Sequence, residues 1–259
     1  MGDDAFGRVI LDRLIADGVD PGLIRVVPGM PTGTAHVSYN TDGSRDFVFN
    51  MAQSAAAHLP TGDEIEAGLL AAGVQVLHIS GSMLGNARMR AAAVEVSEHL
   101  HAKGVAISID PNIRTELMTD LGYTVAINTI IGMAAYVLPS DADGDLLFPD
   151  EPFADWSARL LAGGARAVVL KRGDKGCIGR DATGTWTQPA HPVTVMDPTG
   201  AGDCFCGTFV TLMAAGNSLP DALARANAAG ALAVTQLGPM EGNSTLAQID
   251  ALKGPPHAD

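Results

Sequence analysis

The residues with most capacity for chemistry lie between Val193 and Phe209, in the run VTVMDPTGAGDCFCGTF. Gly200, Ala201 and Gly202 carry little or no side chain, so consecutive backbone N–H groups can turn toward one anion. A helix beginning there adds the positive end of its dipole. Asp203 follows in the expected first helical turn, where a carboxylate can accept a proton from a hydroxyl held near that anion. An anion hole beside a base is an arrangement for phosphoryl transfer. A lone Gly-x-Gly-Asp would equally be a glycine-rich turn whose aspartate merely favours a helix N-terminus, whereas the full Asp-Pro-Thr-Gly-Ala-Gly-Asp string is more specific. Other chemistries lack their residues. There is no His-Glu-x-x-His, no Cys/His cluster with zinc spacing, and no Gly-x-Ser-x-Gly, since Ser82 lacks the second glycine at the required place. Cys204 and Cys206 cannot share a helix face and are expected to be small buried side chains.

Elements able to position such a site alternate along the chain, the pattern of an α/β protein with a mainly parallel sheet. Ala5 to Asp17 sets Phe6, Val9, Ile10 and Leu14 at helical spacing and stops at Gly18. Strands are expected at Val74 to Ile79, Val105 to Ile109, Tyr136 to Leu138 and Ala167 to Leu170, with a helix over Asn86 to Lys103. The β-rich stretch from Val193 reads as one more strand before the tight turn. Four strands end on Ser80, Asp110, Ser140 and Lys171. Ligands of open α/β sheets collect beyond such carboxyl ends, although strands leaving a core also tend to end in polar residues. Thr34 to Tyr39 and Arg45 to Asn50, joined across Asn40 to Gly43, predict a hairpin that projects as a flap. Cys177 to Arg180 and Thr185 to Thr187 predict a second, shorter one.

Composition narrows the class of protein. Of the 259 residues 47% are hydrophobic and 17% are charged, enough for one sizeable core and too few charges for a disordered chain. A formal net charge of −13 argues against a nucleic-acid binder, whose affinity rests on neutralising phosphates, but leaves room for one small anion held locally. The start MGDDAFGRVI has no cationic, apolar leader, and three cysteines suggest no disulfide framework, so a cytoplasmic location is expected. The uncharged run from Leu121 to Ser140 is interrupted by Asn128 and Pro139 and reads as a buried helix followed by a strand, not a membrane span. No linker composition divides the chain, so a single domain over residues 1–259, with a flap hairpin at about 33–50, is expected.

Asp197 to Asp203 resembles a signature of the ribokinase-like (PfkB) carbohydrate kinases, with Pro198 in place of the usual threonine. GDDAFG at Gly2 to Gly7, PTG at Pro31 to Gly33, DPNIR at Asp110 to Arg114, LPS at Leu138 to Ser140, KRGDKG at Lys171 to Gly176 and ANAAGALAVTQLG from Ala226 follow in that family's order. The resemblance implies a three-layer α/β fold with a small β flap, and ATP-dependent phosphorylation of a sugar hydroxyl. Asp203 would be the base, with Gly200, Ala201 and Gly202 stabilising the transferring phosphoryl group. Ser140, Lys171, Gly173, Gly176 and Asn227 would bind the nucleotide, Lys171 offering its ammonium to the phosphates, or standing simply as a surface lysine at a strand end. Asn227 lies on a helix announced by the Ser-x-x-Asp pattern of Ser218 to Asp221. Mg2+ is implied beside the phosphates, with Asp143 resembling the family's acidic residue near that metal. Asp197, Thr199 and Val234 match the family's monovalent-cation loop, implying K+, unless Asp197 only braces the turn.

Within that family the chain looks closest to the branch of 2-keto-3-deoxygluconate kinases and ketohexose kinases. Keto-acid kinases of that branch usually carry a Tyr-Arg pair on the flap, where this chain has Phe49-Asn50-Met51. Arg114 without its partner favours a neutral ketohexose such as tagatose or fructose. Asn50, Asn112 and Arg114 would then bind hydroxyls, and Phe47 and Phe49 either cover the sugar or fill the hairpin. Relatives begin with a longer N-terminal portion carrying further strands and a glycine-rich sugar motif, so an N-terminally shortened fold is expected, with Met1 an internal valine codon read as a start. The alternative from another class is a catalytically silent remnant that binds nucleotide. A homodimer through the flap is implied by the resemblance alone.

Overall fold

The computed structural model describes residues 1–39, 45–58 and 62–253. The expected turn at Asn40 to Gly43 and the Phe47 side chain lie outside what is described. The chain forms two compact units, one of Met1–Val74 with Gly85–His99 and one of Gln75–Leu84 with Leu100–Asp259.

In the first unit, α1 (Ala5–Ala16) is capped by Asp4, whose Oδ1 accepts from Gly7 N at 2.8 Å and from Thr32 Oγ1 at 2.7 Å, while Oδ2 accepts from Thr32 N at 2.7 Å. Those bonds from Gly7 and Thr32 stabilise the charged form and hold the Asp4 carboxyl down at about 2. They also join GDDAFG to PTG, two stretches that sequence spacing leaves separate. The apolar spacing of α1 is not buried within the unit: Phe6 and Val9 are each 66% exposed. The hairpin strands β1 (Thr34–Tyr39) and β2 (Arg45–Asn50) pair antiparallel, with Thr34 opposite Asn50, as their alternation predicts. Further along come α2 (Gly62–Ala71) and most of α3 (Ala87–Ala102).

The second unit is built on a six-stranded sheet of β3 (Val76–Ser80), β4 (Ala106–Asp110), β5 (Tyr136–Val137), β6 (Ala167–Lys171), β7 (Cys177–Asp181) and β8 (Thr185–Gln188), in that spatial order. The first four run parallel, β7 runs antiparallel to β6, and β8 turns back antiparallel to β7. Helices cover both faces. They are α4 (Leu121–Met133), α5 (Asp141–Leu147), α6 (Phe153–Ala162), α7 (Ala201–Ala214), α8 (Leu219–Ala233) and α9 (Leu246–Lys253).

Alternation along the strands decides what each face carries. Ala106, Tyr136, Leu138, Ala167, Val169 and Cys177 form one cluster with Phe205, Phe209, Leu212, Leu219 and Leu223 of α7 and α8. Ile107, Ile109, Val137 and Val168 have the opposite parity and are fully buried, as are Tyr123, Ile127 and Ile130 of α4. Each such aliphatic side chain contributes about 1.5–3 kcal/mol relative to exposure. The helix within the uncharged run is only Leu121–Met133, and among the described residues no helix is long and apolar enough to cross a membrane.

One expected element is absent. Val193 to Met196 forms no strand. It finds no strand to pair with; instead Met196 N and Asp197 N donate to Val234 O at the end of α8, at 2.8 and 3.2 Å. Backbone donors leaving water need partners, and a helix carbonyl satisfies them here.

Candidate active site

Parity carries the site. Ala106, Ser108 and Asp110 share one face, as do Ala167, Val169 and Lys171, so the polar residue ending each strand emerges on the α7 side of the sheet. Ser80 and Asp110 are register partners, and Ser140 bridges Lys171. The four strand ends singled out by sequence therefore gather at one edge. The Lys171 stem crosses β5 to reach β4, where Nζ donates to Asp110 Oδ2 at 2.5 Å. Cys206 Sγ lies 3.4 Å from Lys171 Nζ and 3.5 Å from Asp110 Oδ2, and Asp110 Oδ1 accepts from Asn112 N at 3.2 Å. In the sequence Asp110 stands only as a strand end and as part of a motif. The signal that points to its pairing is the shared parity of two charged residues of opposite sign.

Against this pair starts α7. Gly200, its N-cap, sits at φ 82° and ψ −6°, a left-handed geometry open to glycine, and a Cβ there would lie 2.3 Å from Pro239 O. Gly200→Ala is expected to cost on the order of 3 kcal/mol and to lower Tm by roughly 6–12 °C, read by thermal unfolding. Cys204 N closes the first turn onto Gly200 O at 2.9 Å. The amides of Gly202 and Asp203 precede that closure and have no carbonyl four residues back within the helix. A Cβ on Gly202 would stand 3.6 Å from Lys171 Nζ and 3.9 Å from Asp110 Oδ2, so the ammonium borders the turn.

The charges around the turn act on one another. Burial would lower Lys171, but the Asp110 carboxylate that accepts its hydrogen bond holds it above the ordinary lysine value, so it stays cationic. Burial pushes the Cys206 thiol well up, which keeps it protonated. Desolvation and then the Asp110 charge raise the Asp203 carboxyl, while Lys171, His78 and Arg114 pull it back. A carboxylate with a raised pKa is a better proton acceptor.

The remaining expected residues fall in several places. Asn112 takes the left-handed φ of 37° and donates from Nδ2 to Ser80 Oγ at 3.4 Å, and Arg114 N donates to Tyr123 Oη at 3.2 Å. Ser140 caps α5 reciprocally with Asp143: its N and Oγ donate to Asp143 Oδ2 at 2.8 and 2.7 Å, and Ile113 N donates to Oδ1 at 2.7 Å. Gly173 begins a short 3-10 turn and Gly176 ends it before β7. Asn227 is buried on α8 and donates to Pro189 O at 2.7 Å. Asp197, Thr199 and Val234 are brought together. Asp197 Oδ1 accepts from Thr199 N and Oγ1 at 2.9 and 2.6 Å, Oδ2 accepts from Gly238 N at 3.1 Å, and Val234 O takes the two amides named above. Phe49 and Asn50 stand on β2 of the first unit, Phe49 half exposed and Asn50 Nδ2 3.5 Å from Thr34 Oγ1. Cys206 is buried as expected, but Cys204 is only partly covered, since it faces the 239–244 loop and donates to Asn243 Oδ1 at 2.9 Å. That loop and α7 enclose a cleft of ≈ 470 Å³ beside Asp203. Among the described residues no three His, Cys, Asp or Glu side chains cluster closely enough to hold a metal ion.

Comparison with known proteins bears on the family and the fold. The family model described as pfkB family carbohydrate kinase matches residues 1–246. The 2-dehydro-3-deoxygluconokinase of Bacillus subtilis is 31% identical over 249 residues, covering 95% of this chain and 76% of the relative. Fructokinase-1 of Zea mays is 30% identical over 260 residues, covering 96% and 79%. A crystal structure from E. coli designated Ribokinase II, in complex with ATP and Mg2+, superposes with a TM-score of 0.90 at 37% identity, covering 97% of this chain and 80% of that one. The sheet, its flanking helices and the separate small antiparallel sheet are thus a ribokinase-like fold, and this chain belongs to the pfkB family of carbohydrate kinases.

Proposed function

We propose that this carbohydrate kinase transfers the γ-phosphoryl group of ATP to a hydroxyl of a neutral ketohexose, fructose or tagatose. The observation that carries the reading is the meeting of Asp203, the unclosed first-turn amides of α7 and the Lys171 ammonium at one sheet edge. Asp203 accepts the proton of the attacking hydroxyl as its oxygen bonds to the γ-phosphorus and the bond to the bridging oxygen of ADP breaks. The Gly202 and Asp203 amides, exposed by the turn at Gly200 and Ala201, face the charge on the phosphoryl group in flight. Lys171 adds a fixed positive charge. Gly173, Gly176 and Asn227 shape the nucleotide's surroundings, Gly176 through the turn into β7 and Asn227 through its hold on Pro189.

Mg2+ is the metal that the β and γ phosphates of ATP call for at this site. Both Asp143 oxygens already accept protein N–H or O–H groups, so this carboxylate serves α5 before any metal. Bound Mg2+ supplies neutralisation of the β and γ phosphate charge. For K+, Asp197, Thr199 and Val234 offer oxygen ligands of the right kind; the Asp197 carboxylate and Val234 O also accept the donors described, and Thr199 Oγ1 donates to Asp197. The substrate class follows from the flap: Phe49, Asn50 and Met51 present no cation for a carboxylate, leaving Arg114 alone among the four substrate positions able to bind one, with Asn50 and Asn112 suited to hydroxyls. The 31% identity to a 2-dehydro-3-deoxygluconokinase makes the keto acid the competing substrate.

Coupled ADP-release assays across fructose, tagatose and 2-keto-3-deoxygluconate, each in K+ and in Na+, test the reading. Turnover is expected with a ketohexose and greater in K+. Turnover of the acid alone overturns the substrate class, equal rates in both salts overturn the cation, and no turnover with any sugar overturns the proposed reaction.

A further inference from the structure

We propose that Asp110 is a positioning residue of this site, fixing the Lys171 ammonium against the first turn of α7 and holding a negative charge toward the Asp203 carboxylate. The inference rests on Asp203 as the base and goes beyond it by adding a residue that touches neither sugar nor phosphate. A buried ion pair is a poor way to stabilise a sheet, because removing two charges from water costs about as much as their attraction returns. On the same face, the positions one strand-period and two behind the pair are Ser108 and Ala106 on β4 and Val169 and Ala167 on β6, and none of them carries a charge. The charges appear only at the strand ends, where Lys171 Nζ and Asp110 Oδ2 both come within 4 Å of the Cβ position of Gly202. The location favours a service to that turn over a service to the core.

The groups facing Asp203 come from four elements and one loop: His78 from β3, Asp110 from β4, Lys171 from β6, Cys204 from α7 itself, and Arg114 from the segment after β4. Asp110 and Lys171 act on Asp203 with opposite sign. Removing Asp110 leaves Lys171 and Arg114 unopposed, so Asp203 binds its proton less tightly. Removing Lys171 leaves Asp110 unopposed, so Asp203 binds it more tightly. A base works only when deprotonated, so turnover falls as pH drops through the Asp203 pKa. The acid limb of the rate profile must therefore move to lower pH in Asp110→Asn and to higher pH in Lys171→Met, each by about one pH unit. A mere cross-link between strands, cut from either side, has no reason to move the limb in opposite directions.

The experiment follows the Asp203 side-chain carboxyl by 13C NMR titration, its signal identified by loss in Asp203→Asn, in the full chain and in both variants, alongside kcat against pH. Opposite displacements are expected, with the KM for ATP raised roughly tenfold in Lys171→Met as one charge-assisted contact is lost. Displacements of the same sign, or none, overturn the proposal. Turnover persisting in Asp203→Asn overturns the base reading instead, while the titrations still report whether the charge coupling exists. If either single variant fails to fold by circular dichroism, the double variant D110N/K171M leaves neither charge alone. It is expected to bind ATP roughly tenfold more weakly, and unchanged ATP affinity there overturns the proposal.

Discussion

Asp203→Asn is expected to lower kcat by about 10²–10⁴-fold, the usual contribution of a positioned general base. The amide keeps the shape of the side chain and cannot take a proton. Asp203 lies in the first turn of α7 and is not part of the buried core, so thermal stability should stay within roughly 0.5 kcal/mol of the wild type. ATP binding should also persist, because the amides and Lys171 proposed to face the phosphates are untouched. The wild-type acid limb gives a second check. Desolvation and Asp110 raise the Asp203 carboxyl from its reference value of 3.8, so activity should begin to fall at a higher pH than for an ordinary exposed aspartate. Turnover within about tenfold of the wild type in the asparagine variant would remove Asp203 from the chemistry.

Gly202→Ala is expected to lower turnover by about 10²–10³-fold while leaving the protein as stable as before or more so. Gly202 has ordinary helical backbone, and its added methyl would make only van der Waals contacts, at 3.6 and 3.9 Å. Nothing in the fold resists it, and alanine loses less entropy than glycine on entering a helix. The methyl would instead occupy the space over the amide proposed to face the phosphoryl group. The neighbouring glycine behaves oppositely: Gly200 is required by its positive φ and by Pro239 O, so its replacement shows first in Tm. Steady-state kinetics and thermal melts on the two variants separate room for a ligand from room for the chain. Normal kinetics in Gly202→Ala would mean that no phosphate approaches that turn.

Much of the site was legible because local rules govern it. Gly200 to Asp203 announces a helix start with bare amides whatever surrounds it, since small residues and an acidic first turn are properties of a few consecutive positions. The strand ends Ser80, Asp110 and Lys171 were readable from apolar runs that stop at polar residues, each observed strand ending within a residue of its expected limit. Where local pattern misled, a distant partner had intervened. Val193 to Met196 has the residues of a strand, but Val234 O takes the Met196 and Asp197 amides that a strand would have offered to a neighbour. Ser140 and Asp143 matched an element near a metal, and in the fold they satisfy each other and Ile113 N.

Sequence by itself determined the alternation that makes a mainly parallel α/β sheet, the face on which each residue of its strands lies, and the turn that opens α7, because periods of two and of 3.6 and the conformational range of glycine are written in neighbouring residues. Tertiary structure alone decided that Lys171 reaches across β5 to Asp110, that Cys206 joins them, and that both charges border Gly202 and bear on Asp203. Those contacts join residues 61 and 96 positions apart. Their strength depends on exclusion of water and on distances of a few ångströms, and neither exists until the sheet has formed and α7 has closed over it.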